Sequence, residues 1–381
     1  MKNLVIILSI VIIMSISNFS YAFYDTNLEY EKNNSKISEN TSKYYEGKIE
    51  HIFVHPLIVY PEMAFDGDYE SKTFSKWFVT TKEFKKILDN LYQRNFILVS
   101  YKDVYEEKEV GGKKLTVRKK LLLPEGKRPI IISIDDINYN QYMLGNGITE
   151  KIVLDRNNEL AGYIKKPNGK YLISTETEMV PLIEDFVKLH PDFSHNNAKG
   201  VLAVTGFEGI LGYRIQRDYP NRNEELKQCK RVVYKLKENG WEFASHSYGH
   251  PNLKKISLEK LRDDTIKWEK EVQSVVGKTK IYIPPYGEFP NESSKGLEYL
   301  QSKGFTIFAG VGPISYEKIY KDKNLVITDR RNIDGITLLN KKEKFLDLYN
   351  ADKVIDYNAR KVNNISMKVE RKFTRNPINS I

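Results

Sequence analysis

At 381 residues, 40% hydrophobic and 29% charged, the chain has an ordinary globular composition and the length for one large domain or two small ones. A single cysteine, Cys229, excludes an internal disulfide, so core packing must hold the fold, and in its helix-like segment it reads as a small hydrophobe. The net charge of +10 would suit nucleic acid in an intracellular protein, but in an exported one it reads as a solvated basic face, with affinity at most for cell-wall polymers.

Met1-Lys2-Asn3 precede an apolar run over residues 4–16, and Ser20-Tyr21-Ala22 puts small residues where a signal peptidase needs them. The run is short of the roughly 20 apolar residues of a membrane span. Residues 1–22 therefore read as a signal peptide, cleaved after Ala22, with an uncleaved anchor as the alternative. No cysteine follows to carry a lipid. The expectation is a secreted or surface-associated protein with no stable membrane span after cleavage. Residues 23–50, rich in Asn, Ser, Glu, Lys and Tyr, predict a flexible linker.

Strand-like and helix-like segments then alternate. Strands are expected at 52–54 with 57–59, 96–99, 130–134, 200–204, 241–244, 281–283, 305–308 and 325–327. Helices are expected at 80–95, 180–190, 224–239, 257–276 and 292–303, several closed by Gly240, Gly277 or Gly304. Thr80 with Glu83 forms a capping box, and Phe84, Ile87, Leu88 and Leu91 recur at helical spacing. Such alternation requires a parallel sheet, and this many units favour a barrel. Residues 147–174 break the rhythm with short strands and turn signals, predicting an inserted β-hairpin or small meander. Residues 51–340 form the domain, and 341–381 a basic C-terminal tail.

Asp135 and Asp136 close the apolar run 130–134, and the C-terminal ends of barrel strands are where reacting groups collect. Strand alternation would point the two carboxylates to opposite sides unless the strand end kinks. His246 and His250 follow another strand; Gly249 and Pro251 argue against a helix and for a tight loop that turns both imidazoles to one point. Two imidazoles and one carboxylate leave room for water on a Zn²⁺-like ion, with a second carboxylate free to act as base. His55 interrupts the first apolar segment, and it either sits satisfied near a strand end or faces the barrel mouth to contact substrate or donate a proton. Tyr139, Tyr248 and Tyr286 are candidates for stacking on sugar rings.

The strand-ending Asp135-Asp136, the run His246-Ser247-Tyr248-Gly249-His250-Pro251 and the run Ile281-Tyr282-Ile283-Pro284-Pro285-Tyr286-Gly287 resemble, in order and spacing, three motifs of the NodB-type polysaccharide deacetylases, carbohydrate esterase family 4. The resemblance spans roughly residues 51–339. It implies a distorted (β/α)7 barrel of the NodB-homology type, with Asp135 as general base and Asp136, His246 and His250 on a divalent metal, usually zinc. Pro285 and Tyr286 would lie at the substrate, the Tyr286 N–H helping to hold the oxyanion. Three departures stand out. Ile283 occupies the place of the arginine that orients the base, the segment 328–335 lacks the tryptophan of a fourth motif, and no histidine follows His250 to serve as acid. Arg331, or its neighbour Arg330, is expected to supply the missing guanidinium.

The function implied is an exported, metal-dependent deacetylase acting on an acetylated polysaccharide, peptidoglycan or a poly-N-acetylglucosamine-like polymer. An O-acetyl esterase and a catalytically silent carbohydrate-binding relative are the alternatives. A metallopeptidase lacks its His-Glu-x-x-His, and nucleic acid is not expected as a partner.

Overall fold

The computed structural model describes residues 42–216, 218–290, 295–320 and 322–360. The signal peptide, most of the linker and the last part of the tail lie outside the described residues. Among the described residues no helix is long and apolar enough to cross a membrane. Two units separate, residues 42–45 with 122–126 and the rest. The smaller belongs to a two-stranded ribbon of Ser42–Tyr45 and Leu121–Pro124.

The larger unit is built on seven parallel strands: β1 (Glu50–Val54), β2 (Arg128–Ile134), β3 (Gly200–Val204), β4 (Trp241–Ser245), β5 (Ile281–Tyr282), β6 (Ile307–Val311) and β7 (Leu325–Asn332). Each pairs with the next, and β7 returns to β1 through Arg331↔Ile52 and Asn332↔Phe53, closing the barrel in chain order. This is the barrel favoured by the alternation, in the (β/α)7 form that the resemblance implies. β2 shows why its run is almost continuously apolar: Ile130, Ile131, Ile132 and Ile134 are all buried, as in strands covered on both faces.

Pairing is short at several seams of the barrel, including β5–β6 and β7–β1, which share two positions each. β2 and β3 share only Val201↔Ser133 and Leu202↔Ile134, and β4 and β5 only Ser245↔Tyr282. Phe96–Leu98 lies parallel to the first half of β2, and Tyr316–Tyr320 runs antiparallel to β7. Along β1 the side chains alternate: Ile52 and Val54 join the core under the helices, while Phe53 sits against a guanidinium inside the barrel.

The helix Thr81–Gln93 starts at the expected capping box, with Thr80 accepting from the Glu83 N–H and Glu83 accepting from the Thr80 N–H, and buries Phe84, Ile87, Leu88 and Leu91. The insertion is an antiparallel meander of Lys151–Leu154, Leu160–Lys165 and Tyr171–Ser174. A hairpin of Tyr105–Val110 and Lys113–Arg118, turning on Gly111-Gly112 with positive φ at both, was not foreseen. Its outer half is exposed and charged, so no apolar alternation marks it. The first part of the expected tail packs as core: Phe345, Leu348, Tyr349, Val354 and Ile355 are buried, and Arg360 grips the buried Glu83 at 2.7 and 2.8 Å.

Candidate active site

The C-terminal ends of β1, β2, β4 and β7, with the turn after β5, meet around a cavity of about 160 Å³. Its wall includes His55, Asp135, Asp136, His246, His250 and Tyr286.

Asp135 continues the β1–β2 ladder by donating its N–H to the Val54 carbonyl at 2.9 Å. Asp136 then takes φ +57°, a left-handed conformation rare outside glycine. That kink breaks the strand's alternation, which is how two successive carboxylates both reach the cavity. The loop after β4 is bent in the same way at Ser247 (φ +59°) and His250 (φ +54°). Ser247 Oγ accepts from the His250 N–H at 3.0 Å, and the Asp264 carboxylate accepts from the N–H groups of Tyr248 and Gly249 at 2.8 Å each. Asp264 comes from the helix Leu258–Lys267, and no spacing in the sequence linked it to the loop.

Asp136 Oδ1 stands 3.6 Å from His250 Nε2 and 3.9 Å from His246 Nε2. These ligand atoms lie within 4.8 Å of one another, the only such grouping of three among the described residues. Two ligands at zinc-type bond lengths on a tetrahedral ion are about 3.4 Å apart, so the cluster fits a small divalent ion. His246 is set up for that task. Its Nδ1 donates to the Ile283 carbonyl at 2.7 Å, which leaves the Nε2 lone pair facing Asp136. Burial, partly opposed by the Asp135 charge, pushes its pKa down to about 4, so the ring is neutral at pH 7.

Asp135 stays out of this grouping. Burial tends to raise its pKa, but the adjacent Arg330 outweighs it and holds the carboxyl down at about 2. The contact is bidentate, Nη1 to Oδ1 at 2.6 Å and Nη2 to Oδ2 at 3.0 Å. The sequence-based preference for Arg331 is therefore corrected. Arg331 points away from the cavity to the Asp347 carboxylate at 2.7 and 3.0 Å and to Glu50 at 3.4 Å. Strand alternation places consecutive arginines on opposite faces of β7, and Arg330 has the face that looks into the barrel.

His55 lies on the cavity wall. Its Nδ1 contacts the Trp77 carbonyl at 3.1 Å, which requires Nδ1–H, so Nε2 faces Asp136 Oδ2 at 3.9 Å. Tyr286 is half-exposed on the turn Pro285–Gly287 with φ +60°, its ring 4.8 Å from that of His250. Pro285 is buried beneath the turn and is not among the residues of the wall. Tyr139 is fully buried, and Tyr248 packs outside the cavity with its hydroxyl on Glu271 at 2.8 Å. Neither stands at the mouth. Tyr142, Trp77 and Phe78 line it instead, and nothing in their local sequence marked them. No residue of the inserted meander reaches this wall.

Residues 214–307, from before β4 to the start of β6, match the family model for polysaccharide deacetylase. A peptidoglycan-N-acetylglucosamine deacetylase of Bacillus cereus is 32% identical over 66 residues, 17% of this chain; the chain spans about a quarter (24%) of that relative's length. Among solved structures, the Streptococcus pyogenes deacetylase PplD in complex with acetate is 14% identical at a TM-score of 0.43, over 77% of this chain and 97% of its own. A polysaccharide deacetylase from Bacillus cereus is 13% identical at a TM-score of 0.42, over 80% and 69%. The matched segment, residues 214–307, thus resembles the polysaccharide deacetylase family and carries two of the three motifs, within a closed seven-stranded barrel whose strand ends bear all three.

Proposed function

We propose that the protein is an exported, metal-dependent deacetylase that removes N-acetyl groups from an N-acetylhexosamine polymer such as peptidoglycan. The observation that carries this reading is a buried carboxylate, Asp135, fixed by a guanidinium beside a three-donor cluster it does not join. A binding protein has no use for that arrangement. Export rests on the signal-like residues 1–22.

Asp136, His246 and His250 would hold the ion, zinc by the chemistry of the donor set. A divalent ion there supplies Lewis acidity, polarising a carbonyl and lowering the pKa of a water. Asp135 orients the attacking water and takes its proton, with Arg330 keeping both carboxylate oxygens in register. The water oxygen bonds to the acetyl carbon, the C–N bond breaks, acetate leaves and the amine nitrogen gains the proton that Asp135 took from the water. The Tyr286 N–H would help to hold the developing oxyanion. His55, with Nε2 turned to the cavity, would contact the substrate there.

The test is acetate release from acetylated chito-oligomers and from peptidoglycan. Release should stop with a chelator, return with Zn²⁺, and fall by about two orders of magnitude or more in Asp135→Asn. Sugar binding without acetate release would replace this reading with the silent relative.

A further inference from the structure

We propose that Ser133 and His51 are positioning residues, which lock the Arg330 guanidinium onto Asp135 through a buried hydrogen-bonded column ending at Tyr101. The inference rests on Asp135 as base for its catalytic readout only.

Barrel interiors are normally filled by Val, Ile and Leu. This one is polar along a single line. Ser133 Oγ accepts from Arg330 Nη1 at 3.0 Å, His51 Nε2 lies 3.0 Å from the same oxygen, and His51 Nδ1 lies 3.1 Å from the Tyr101 hydroxyl. Ser133 and Arg330 are fully buried, and His51 and Tyr101 are nearly so. The backbone of Tyr101 is itself held, its N–H donating to Glu242 Oε2 at 2.7 Å. Buried polar groups cost stability unless bonded, and here each is bonded to the next.

The proton count makes the column directional at one end. Arginine has donors only, so Ser133 Oγ must accept from it. Burial, reinforced by the nearby Arg330 charge, holds His51 far below its ordinary pKa, so the ring is neutral with one donor and one acceptor. Either tautomer then satisfies both neighbours: Ser133 donates to Nε2 while Nδ1–H donates to Tyr101, or both bonds reverse. In both cases the serine oxygen keeps a lone pair on Nη1.

The guanidinium needs such support. Nη1 is shared between Asp135 Oδ1 and Ser133, Nη2 goes to Asp135 Oδ2, Nε donates to the Gly310 carbonyl at 3.2 Å, and the group lies 4.2 Å over the Phe53 ring. Gly310 and Phe53 fix its plane. Ser133 fixes its rotation within that plane, and His51 fixes Ser133, whose other contact is a long one, 3.5 Å to the Ile52 carbonyl. A change at His51 therefore reaches Asp135 only through Ser133 and Arg330.

The experiment uses the full chain with Ser133→Ala, His51→Phe, their double variant, His51→Gln, and Tyr101→Phe as the mildest change. Turnover in Ser133→Ala and in His51→Phe should fall about tenfold, with KM and Zn²⁺ affinity within twofold. The double variant should be no worse than Ser133→Ala, because both act on one path, and His51→Gln should recover most of the loss. In chelated protein, hydrogen exchange at the Arg330 Nη–H groups, followed by NMR, should quicken about tenfold in the two single variants and less in Tyr101→Phe. Unchanged exchange in Ser133→Ala, or losses that multiply in the double variant, would overturn the inference. A wild-type protein that releases no acetate sinks the functional reading, while the exchange measurement still decides this one.

Discussion

Arg330→Met separates the two consecutive arginines. It removes the guanidinium while keeping an apolar stem to pack on Phe53, 4.2 Å away in the wild type. What remains is an Asp135 carboxylate only 4% exposed, stripped of two charge-assisted hydrogen bonds. Breaking a buried pair by removing one partner costs about 3–5 kcal/mol, because the other charge is left unpaired. Urea unfolding of chelated protein at pH 7 should show that loss. Turnover of the Zn²⁺-loaded variant should fall about 100-fold, the cost typical of a displaced reacting group. Arg331→Met loses its pairs with Asp347 and with the buried Glu50, neither of which lies on the cavity wall, so its turnover should stay within a few-fold of wild type. The reasoning fails if Arg331→Met loses turnover while Arg330→Met keeps it, or if Arg330→Met unfolds within about 0.5 kcal/mol of wild type.

Glu178 supplies a pH dependence away from the metal cluster. Burial pushes this fully buried carboxyl up to about 8, against a partial lowering from the Met179 N–H, which donates to it at 2.6 Å. A folded pKa above the ordinary 4.5 means that the native state keeps a proton the unfolded chain has released. That stability is complete below about pH 4.5 and is lost as pH rises through 8, at up to about 1.4 kcal/mol per pH unit. Glu178→Gln should flatten the decline between pH 5 and 8 in denaturant titrations, and identical slopes in the two proteins would refute it. Arg360→Met should cost about 3–5 kcal/mol in the same assay, since it strands Glu83, fully buried in the capping box of Thr81–Gln93. A near-neutral result would mean that residues 341–360 contribute little to the domain.

The sequence revealed the barrel because helices and buried strands alternate with different periods, and it revealed the cluster because its members sit at strand ends. It could not show which arginine faces Asp135. Leu325, Val326 and Ile327 are all apolar, so nothing in β7 marks the inward face, and Arg330 and Arg331 read alike until the strand is paired. The kink at Asp136 was equally hidden, since φ +57° at an aspartate is imposed by the surroundings and not by propensity. The polar column was invisible for another reason. Ser133 and His51 are 82 positions apart and each looks unremarkable locally; only the β1–β2 register, with Phe53 opposite Ser133 and His51 opposite Ile131, brings them together. The packing of residues 341–360 was hidden because the charges of that segment advertise a surface, whereas Arg360 is drawn inward by Glu83, 277 positions away.

The seams of the barrel explain why the donors hold their places before any ion arrives. β4 and β5 pair at one position, Ser245↔Tyr282, and then diverge. Just beyond that point the Ile283 N–H bonds the Ser245 carbonyl at 2.8 Å, and the His246 N–H bonds the Val204 carbonyl of β3 at 3.0 Å. The His246 side chain adds the next link, Nδ1 to the Ile283 carbonyl. A ring nitrogen thus stands where a ladder bond would be, so the strand separation that opens the cavity is also what fixes the tautomer and direction of the ligand. His250 has no such link to a neighbouring strand, and its loop depends on Asp264 and Ser247 instead. Rigidity is therefore unequal within the cluster: His246 is set by the barrel itself, and His250 by a loop that one helix holds in shape.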